Sequence, residues 1–88
     1  MSTLFCYFKL MKDKPNKDFQ EYLKLIGSNL KKERIAKGVT QEKMAEINNI
    51  DYKYYQRIES GHVNITMKTL YKLSESLKID PIKLFEKN

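Results

Sequence analysis

Three features of the sequence predict an all-α fold. From residue 17 onward, apolar residues recur at three- and four-residue steps, the repeat of a helix that buries one face. No segment there alternates with the period of two that a half-buried strand requires. The periodic stretches are also punctuated, with short polar residues before them and Gly or Asn after them. At 88 residues the chain has room for one domain. The expected organisation is five helices across residues 17–88. Residues 1–16 form an N-terminal extension, expected to be extended or strand-like.

In the first stretch, Phe19, Tyr22, Ile26 and Leu30 make one apolar stripe, and Lys37-Gly38 closes the helix with a cation and a glycine stop. Thr40 is placed to cap a short second helix, Gln41 to Ile47, with Met44 and Ala45 facing inward. Asn48-Asn49 ends it, since Asn accepts the left-handed backbone. Asp51 caps a third helix, Tyr52 to Ser60, which stops at Gly61. Thr66 caps a fourth, striped by Leu70, Leu73 and Leu77. Asp80-Pro81 opens a fifth, Asp suiting the cap and Pro the first helical position.

Composition narrows the function. Seventeen Lys or Arg against eleven Asp or Glu leave a formal charge of +6, which favours a polyanionic partner. Cys6 is the single cysteine, so neither an intrachain disulfide nor a cysteine-based zinc site can form, and a reducing, cytoplasmic setting is expected. The run Leu4 to Met11 is too short to span a bilayer and lacks the flanks of a signal peptide. No Cys/His pair, Gly-rich phosphate loop or convergent carboxylate pair supplies the parts of an enzyme. His62 lies in a loop without companion ligands, so no metal and no cofactor is expected.

The third helix carries the chemistry. Two short helices separated by Asn48-Asn49-Ile50-Asp51 have helix-turn-helix dimensions. At 100° per residue, Tyr52, Lys53, Gln56 and Arg57 gather on one face of the second of them, with Tyr54, Tyr55 and Ile58 opposite. Such a polar face suits the DNA major groove, where Lys and Arg donate to guanine O6 and N7 and Gln pairs with adenine N6 and N7. An ordinary solvated surface helix would also show these residue types. Gln41 opens its own helix, where free N–H groups and the positive dipole end favour a phosphate oxygen. A plain surface glutamine is the other reading of that position.

Several motifs in one order resemble the phage-repressor-like (Cro/C1-type, XRE) helix-turn-helix family over about two-thirds of the chain, from Ile26-Gly27 to Phe85. They are Arg34, Gly38-Val39-Thr40-Gln41, Met44-Ala45, Ile58-Glu59-Ser60-Gly61, Thr66 with Leu70, and Asp80-Pro81-Ile82-Lys83-Leu84-Phe85. The resemblance implies a lambda-repressor-like DNA-binding domain whose helix-turn-helix spans 41–60 and whose recognition helix is 52–60. It implies contacts to base edges, or to neighbouring phosphates, by Tyr52, Lys53, Gln56 and Arg57, which are expected to read bases, and a structural ion pair between Arg34 and Glu59. Phosphate contacts are expected from Gln41, Tyr54, Asn64 and Lys68. Three positions depart from the pattern: Asn49 replaces a turn glycine, Tyr55 replaces a branched aliphatic residue, and Asn64-Ile65-Thr66 replaces a loop proline. Asn64-Ile65-Thr66, together with Asn49-Ile50-Asp51 and Tyr54, is similar to the controller proteins of restriction–modification systems.

The expectation is therefore a transcriptional regulator, repressor or autoregulator, that binds double-stranded DNA as a homodimer. Ile79, Ile82 and Phe85 are the expected dimer contacts, with Leu84 divided between that role and the core. The rival is an antitoxin or other protein-binding module that engages a partner protein through residues 1–10, for which Leu4 to Leu10 could supply an extended edge. Met11 is an alternative start that would remove that segment.

Overall fold

Four α-helices and a closing 3₁₀ segment make up residues 17–87, the part of the chain that the computed structural model describes. The expectations for residues 1–16, including the Leu4 to Leu10 segment and Cys6, lie outside the described residues. Helix α1 runs Lys17–Ala36, α2 Gln41–Asn48, α3 Tyr52–Glu59 and α4 Met67–Ser76, and the 3₁₀ segment covers Pro81–Phe85. There is no strand among the described residues.

The N-terminal caps form through short-range bonds. Thr40 Oγ1 accepts from Lys43 N, Asp51 from Tyr54 N, Thr66 from Thr69 N and Asp80 from Ile82 N. Each satisfies an amide that the first helical turn leaves without a partner. At the other ends, all four helices turn off through one left-handed residue: Gly38 (φ 71°), Asn49 (φ 55°), Gly61 (φ 78°) and Lys78 (φ 57°). The next residue's amide reaches back to close the end: Val39 to Arg34 O, Ile50 to Ala45 O, His62 to Arg57 O and Ile79 to Ser74 O. Val39, Ile50 and Ile79 then pack against the core, as the apolar residue of this motif commonly does.

The core joins Ile26 and Leu30 of α1, Met44 and Ala45 of α2, Tyr55 and Ile58 of α3, and Leu70 and Leu73 of α4 with Leu77 and Leu84. Two expectations change. The fifth helix is a single 3₁₀ segment. It is five residues long, Pro81 has no N–H, and its bond Lys83 N to Asp80 O spans three residues. The stripe of α1 is also rotated at its start: Phe19 and Tyr22 are 47% and 54% exposed, and Leu23 is buried instead. The inward direction is set by Gly27, Leu30 and Arg34, all buried, and Leu23 lies one turn before Gly27 on that line.

Gly27 fixes how closely α1 approaches α3. A Cβ placed there would lie 2.3 Å from the Glu59 carbonyl oxygen and 2.6 Å from that of Ile58. Side-chain amides then secure the long-range joins. Asn29 Nδ2 donates to Leu84 O at 2.9 Å and Glu86 O at 2.8 Å, tying the 3₁₀ segment to α1. Asn48 Nδ2 donates to Met44 O and to Ser76 Oγ, tying α2 to the end of α4.

Candidate nucleic-acid interface

The turn between α2 and α3 holds their angle with Asn49 in the left-handed region and Ile50 packed on the core. That packing orients α3 by its apolar side. Tyr55 and Ile58 are buried and Tyr54 is half-buried, so Tyr52, Lys53, Gln56 and Arg57 are left exposed together. On that face Gln56 Nε2 donates to Tyr52 Oη at 3.3 Å, linking two of the residues expected to read bases. Arg57 Nη2 donates to His62 O at 3.3 Å, against the turn that ends the helix. His62 Nδ1 meets Ser60 Oγ at 2.8 Å in the same turn. The Lys53 side chain makes no hydrogen bond or ion pair with another described residue.

Behind that face lies a buried polar cluster centred on Glu59. Its Oε2 accepts from Arg34 Nε at 2.6 Å and from Tyr55 Oη at 2.5 Å. Its Oε1 accepts from Gln41 Nε2 at 2.8 Å and from Arg34 Nη2 at 3.3 Å. Arg34 Nη1 donates further to Val39 O at 2.7 Å, so one guanidinium spans the carboxylate and the loop before α2. The bond to Glu59 holds the Arg34 guanidinium above its ordinary range, outweighing the opposing effect of burial. Burial, and then the Glu59 carboxylate, push the Tyr55 phenol well above its usual range, so it stays a neutral donor. A buried Tyr at a position where the family pattern has a branched aliphatic residue needs a partner for its hydroxyl, and the Glu59 carboxylate one turn on supplies it.

The phosphate candidates are dispersed. Gln41 is half-buried at the first position of α2, its amide nitrogen committed on one side to Glu59. Tyr54 is half-buried against the core. Asn64 lies exposed in the loop before α4, and Lys68 is exposed in its first turn. Neither side chain makes a hydrogen bond to another described residue. Of the dimer candidates, Ile79 packs against the core, whereas Ile82 and Phe85 are 66% and 40% exposed. Leu84 is fully buried, closing the core. No group of three His, Cys, Asp or Glu among the described residues is placed to hold a metal ion. No helix among them is long and apolar enough to cross a membrane.

A family model described as helix-turn-helix matches residues 30–84. An uncharacterized HTH-type transcriptional regulator of Sinorhizobium fredii is 36% identical over 61 residues, 69% of this chain and 79% of that protein. Among solved structures, the restriction-modification controller protein C.AhdI from Aeromonas hydrophila is similar with a TM-score of 0.69 at 35% identity. That match covers 72% of this chain and 96% of the other. The wild-type restriction-modification controller protein C.Esp1396I is similar with a TM-score of 0.65 at 31% identity, over 76% of this chain and 95% of its own.

Proposed function

The chain belongs to the helix-turn-helix (XRE-type) family of transcriptional regulators, and on that premise we propose that it binds a near-palindromic double-stranded operator as a homodimer, inserting α3 into the major groove. The observation that carries this reading is the single exposed polar face of α3, Tyr52, Lys53, Gln56 and Arg57, set by the burial of Tyr55 and Ile58. Arg57 and Lys53 are assigned to guanine and Gln56, with Tyr52 beside it, to adenine or neighbouring edges. Gln41, Tyr54, Asn64 and Lys68 are assigned to phosphates, which position the protein without carrying sequence information. One short helix reads few base pairs, too few to single out a site in a genome. Two copies related by a two-fold axis would set their recognition helices about 34 Å apart, one turn of DNA. The exposed Ile82 and Phe85 are the apolar surface assigned to that contact.

Binding-site selection with purified protein tests the reading. Arg57→Ala should relax preference at one base position and cost about 1–3 kcal/mol at the selected site. Gln41→Ala should weaken all sequences alike. If the dimer neutralises roughly five to eight phosphates, log K falls with log salt at a slope of about −5 to −7. Binding indifferent to salt, or a preference altered by Gln41→Ala and untouched by Arg57→Ala, refutes the assignment.

A further inference from the structure

We propose that Tyr55 is a positioning residue for DNA binding: through the Glu59 carboxylate, its hydroxyl fixes the side-chain amide of Gln41 for contact with the DNA backbone. The proposal rests on the phosphate role assigned to Gln41 above.

The geometry runs through three helices. Tyr55 is fully buried and lies one turn before Glu59 on α3, so its hydroxyl and that carboxylate meet. A carboxylate offers about four lone-pair positions. Here Arg34 takes one on each oxygen, Tyr55 takes the second on Oε2 and Gln41 the second on Oε1. The Arg34 contacts are unequal, 2.6 Å to Oε2 and 3.3 Å to Oε1, so the guanidinium grips one oxygen firmly and the other loosely. The terminal torsion of a glutamate is broad and weakly restrained by its own chain. Without Tyr55 the carboxylate would keep one short bond at Oε2, with only the 3.3 Å contact from Arg34 and the Gln41 amide itself at Oε1, so its terminal torsion would be less restrained. A second donor reaching Oε2 from the helix's own preceding turn removes that freedom and leaves Oε1 facing Gln41.

The consequence for Gln41 is chemical as well as spatial. An ionised carboxylate only accepts, so the Gln41 amide must present its nitrogen to Glu59 and cannot flip. Its second N–H remains available at the first position of α2, beside the unpaired backbone amides and the positive end of that helix. In the flipped orientation a carbonyl oxygen would face the Glu59 carboxylate and be repelled by it, so the nitrogen stays where Glu59 holds it. The hydroxyl of Tyr55 thus selects the rotamer and the amide orientation that suit an anion, although Tyr55 itself never reaches the surface.

The test is a cycle of Tyr55→Phe, Gln41→Ala and the double variant, with affinity for the selected duplex measured by anisotropy well below each melting midpoint. The side-chain amide signals of Gln41 are followed by NMR in the DNA-free protein. Tyr55→Phe should weaken binding about three- to tenfold, the range for restoring freedom to one long polar side chain. It should leave the salt slope unchanged, because the amide carries no charge. It should add no further loss in the Gln41→Ala background and should move the Gln41 amide signals toward their free-solvent positions. Losses that multiply in the double variant, or Gln41 signals unmoved by Tyr55→Phe, overturn the proposal even if Gln41 touches phosphate. A Gln41→Ala protein that binds as tightly as the wild type refutes the phosphate role itself, and the proposal falls with it.

Discussion

Replacing Gly27 by alanine should destabilise the protein, although alanine is the better helix former by about 1 kcal/mol. Gly27 sits inside α1 with a Cβ position 2.3 Å from Glu59 O, 2.6 Å from Ile58 O and 2.7 Å from the Glu59 carbonyl carbon. All three atoms are backbone, so no side chain can swing aside. Ordinary contact begins at 3.4 Å, and the helices must therefore part by about 1 Å. A gap of that size forfeits about a quarter to a half of the dispersion well between facing atoms, here those of Ile26, Leu30 and Ile58. Overpacking of this kind costs about 1–3 kcal/mol, and the same shift pulls Glu59 from Arg34, adding to the loss. Set against the gain in propensity, the net loss is about 2 kcal/mol, or roughly 8–16 °C in melting temperature for a domain of this size. Thermal denaturation followed by circular dichroism measures it. Gly38→Ala is the control: its Cβ would meet nothing within 4 Å, so only the left-handed backbone at φ 71° is strained, costing about 1 kcal/mol. A Gly27→Ala protein that melts at or above the wild type, or above Gly38→Ala, refutes the close-approach argument.

Further consequences can be measured on the same preparations. Because the folded Tyr55 phenol is held above its ordinary value of 10.0, the unfolded chain releases that proton first as pH rises, and stability that is complete below pH 10 declines above it. Urea titrations should show the wild type losing up to about 1.4 kcal/mol per pH unit more than Tyr55→Phe in that range, and parallel profiles would contradict it. Lys78 pays for a left-handed backbone that glycine adopts freely, so Lys78→Gly should gain about 1 kcal/mol and melt roughly 4–8 °C higher, whereas Lys78→Ala should gain nothing. Replacing Ile82 and Phe85 together with polar residues should leave a folded monomer with weakened operator binding, and sedimentation that finds an unchanged dimer would place the interface elsewhere.

Features carried by neighbouring residues were legible in the sequence. Thr40, Asp51, Thr66 and Asp80 each act within three residues, and each caps the helix its position indicates. The exposed face of α3 is equally local, because the burial of Tyr55 and Ile58 determines which side remains. Lys78 was not legible as a left-handed residue, since nothing about a lysine marks it; the turn is imposed by Ile79 packing on the core. The direction of α1 was misread at Phe19 and Tyr22 because two stripes fit its spacing, and only the close approach at Gly27 selects between them.

That same approach explains why the candidate site was half visible. The exposed residues of α3 need only their own helix to be placed. The residues behind them need three helices at a particular separation. Arg34 and Gln41 lie 25 and 18 positions from Glu59 in the chain, yet both donate to its carboxylate. Their meeting requires the end of α3 to lie directly against α1, which a side chain at position 27 would prevent. Gly27 therefore belongs with the site as much as with the fold. By letting α1 press on the last turn of α3, it brings Arg34 to Glu59 and leaves Oε1 within reach of Gln41. The face that meets solvent and the amide at the start of α2 are then held in one frame, so a variant that opens this crossing should loosen Gln41 before it disturbs the exposed face of α3.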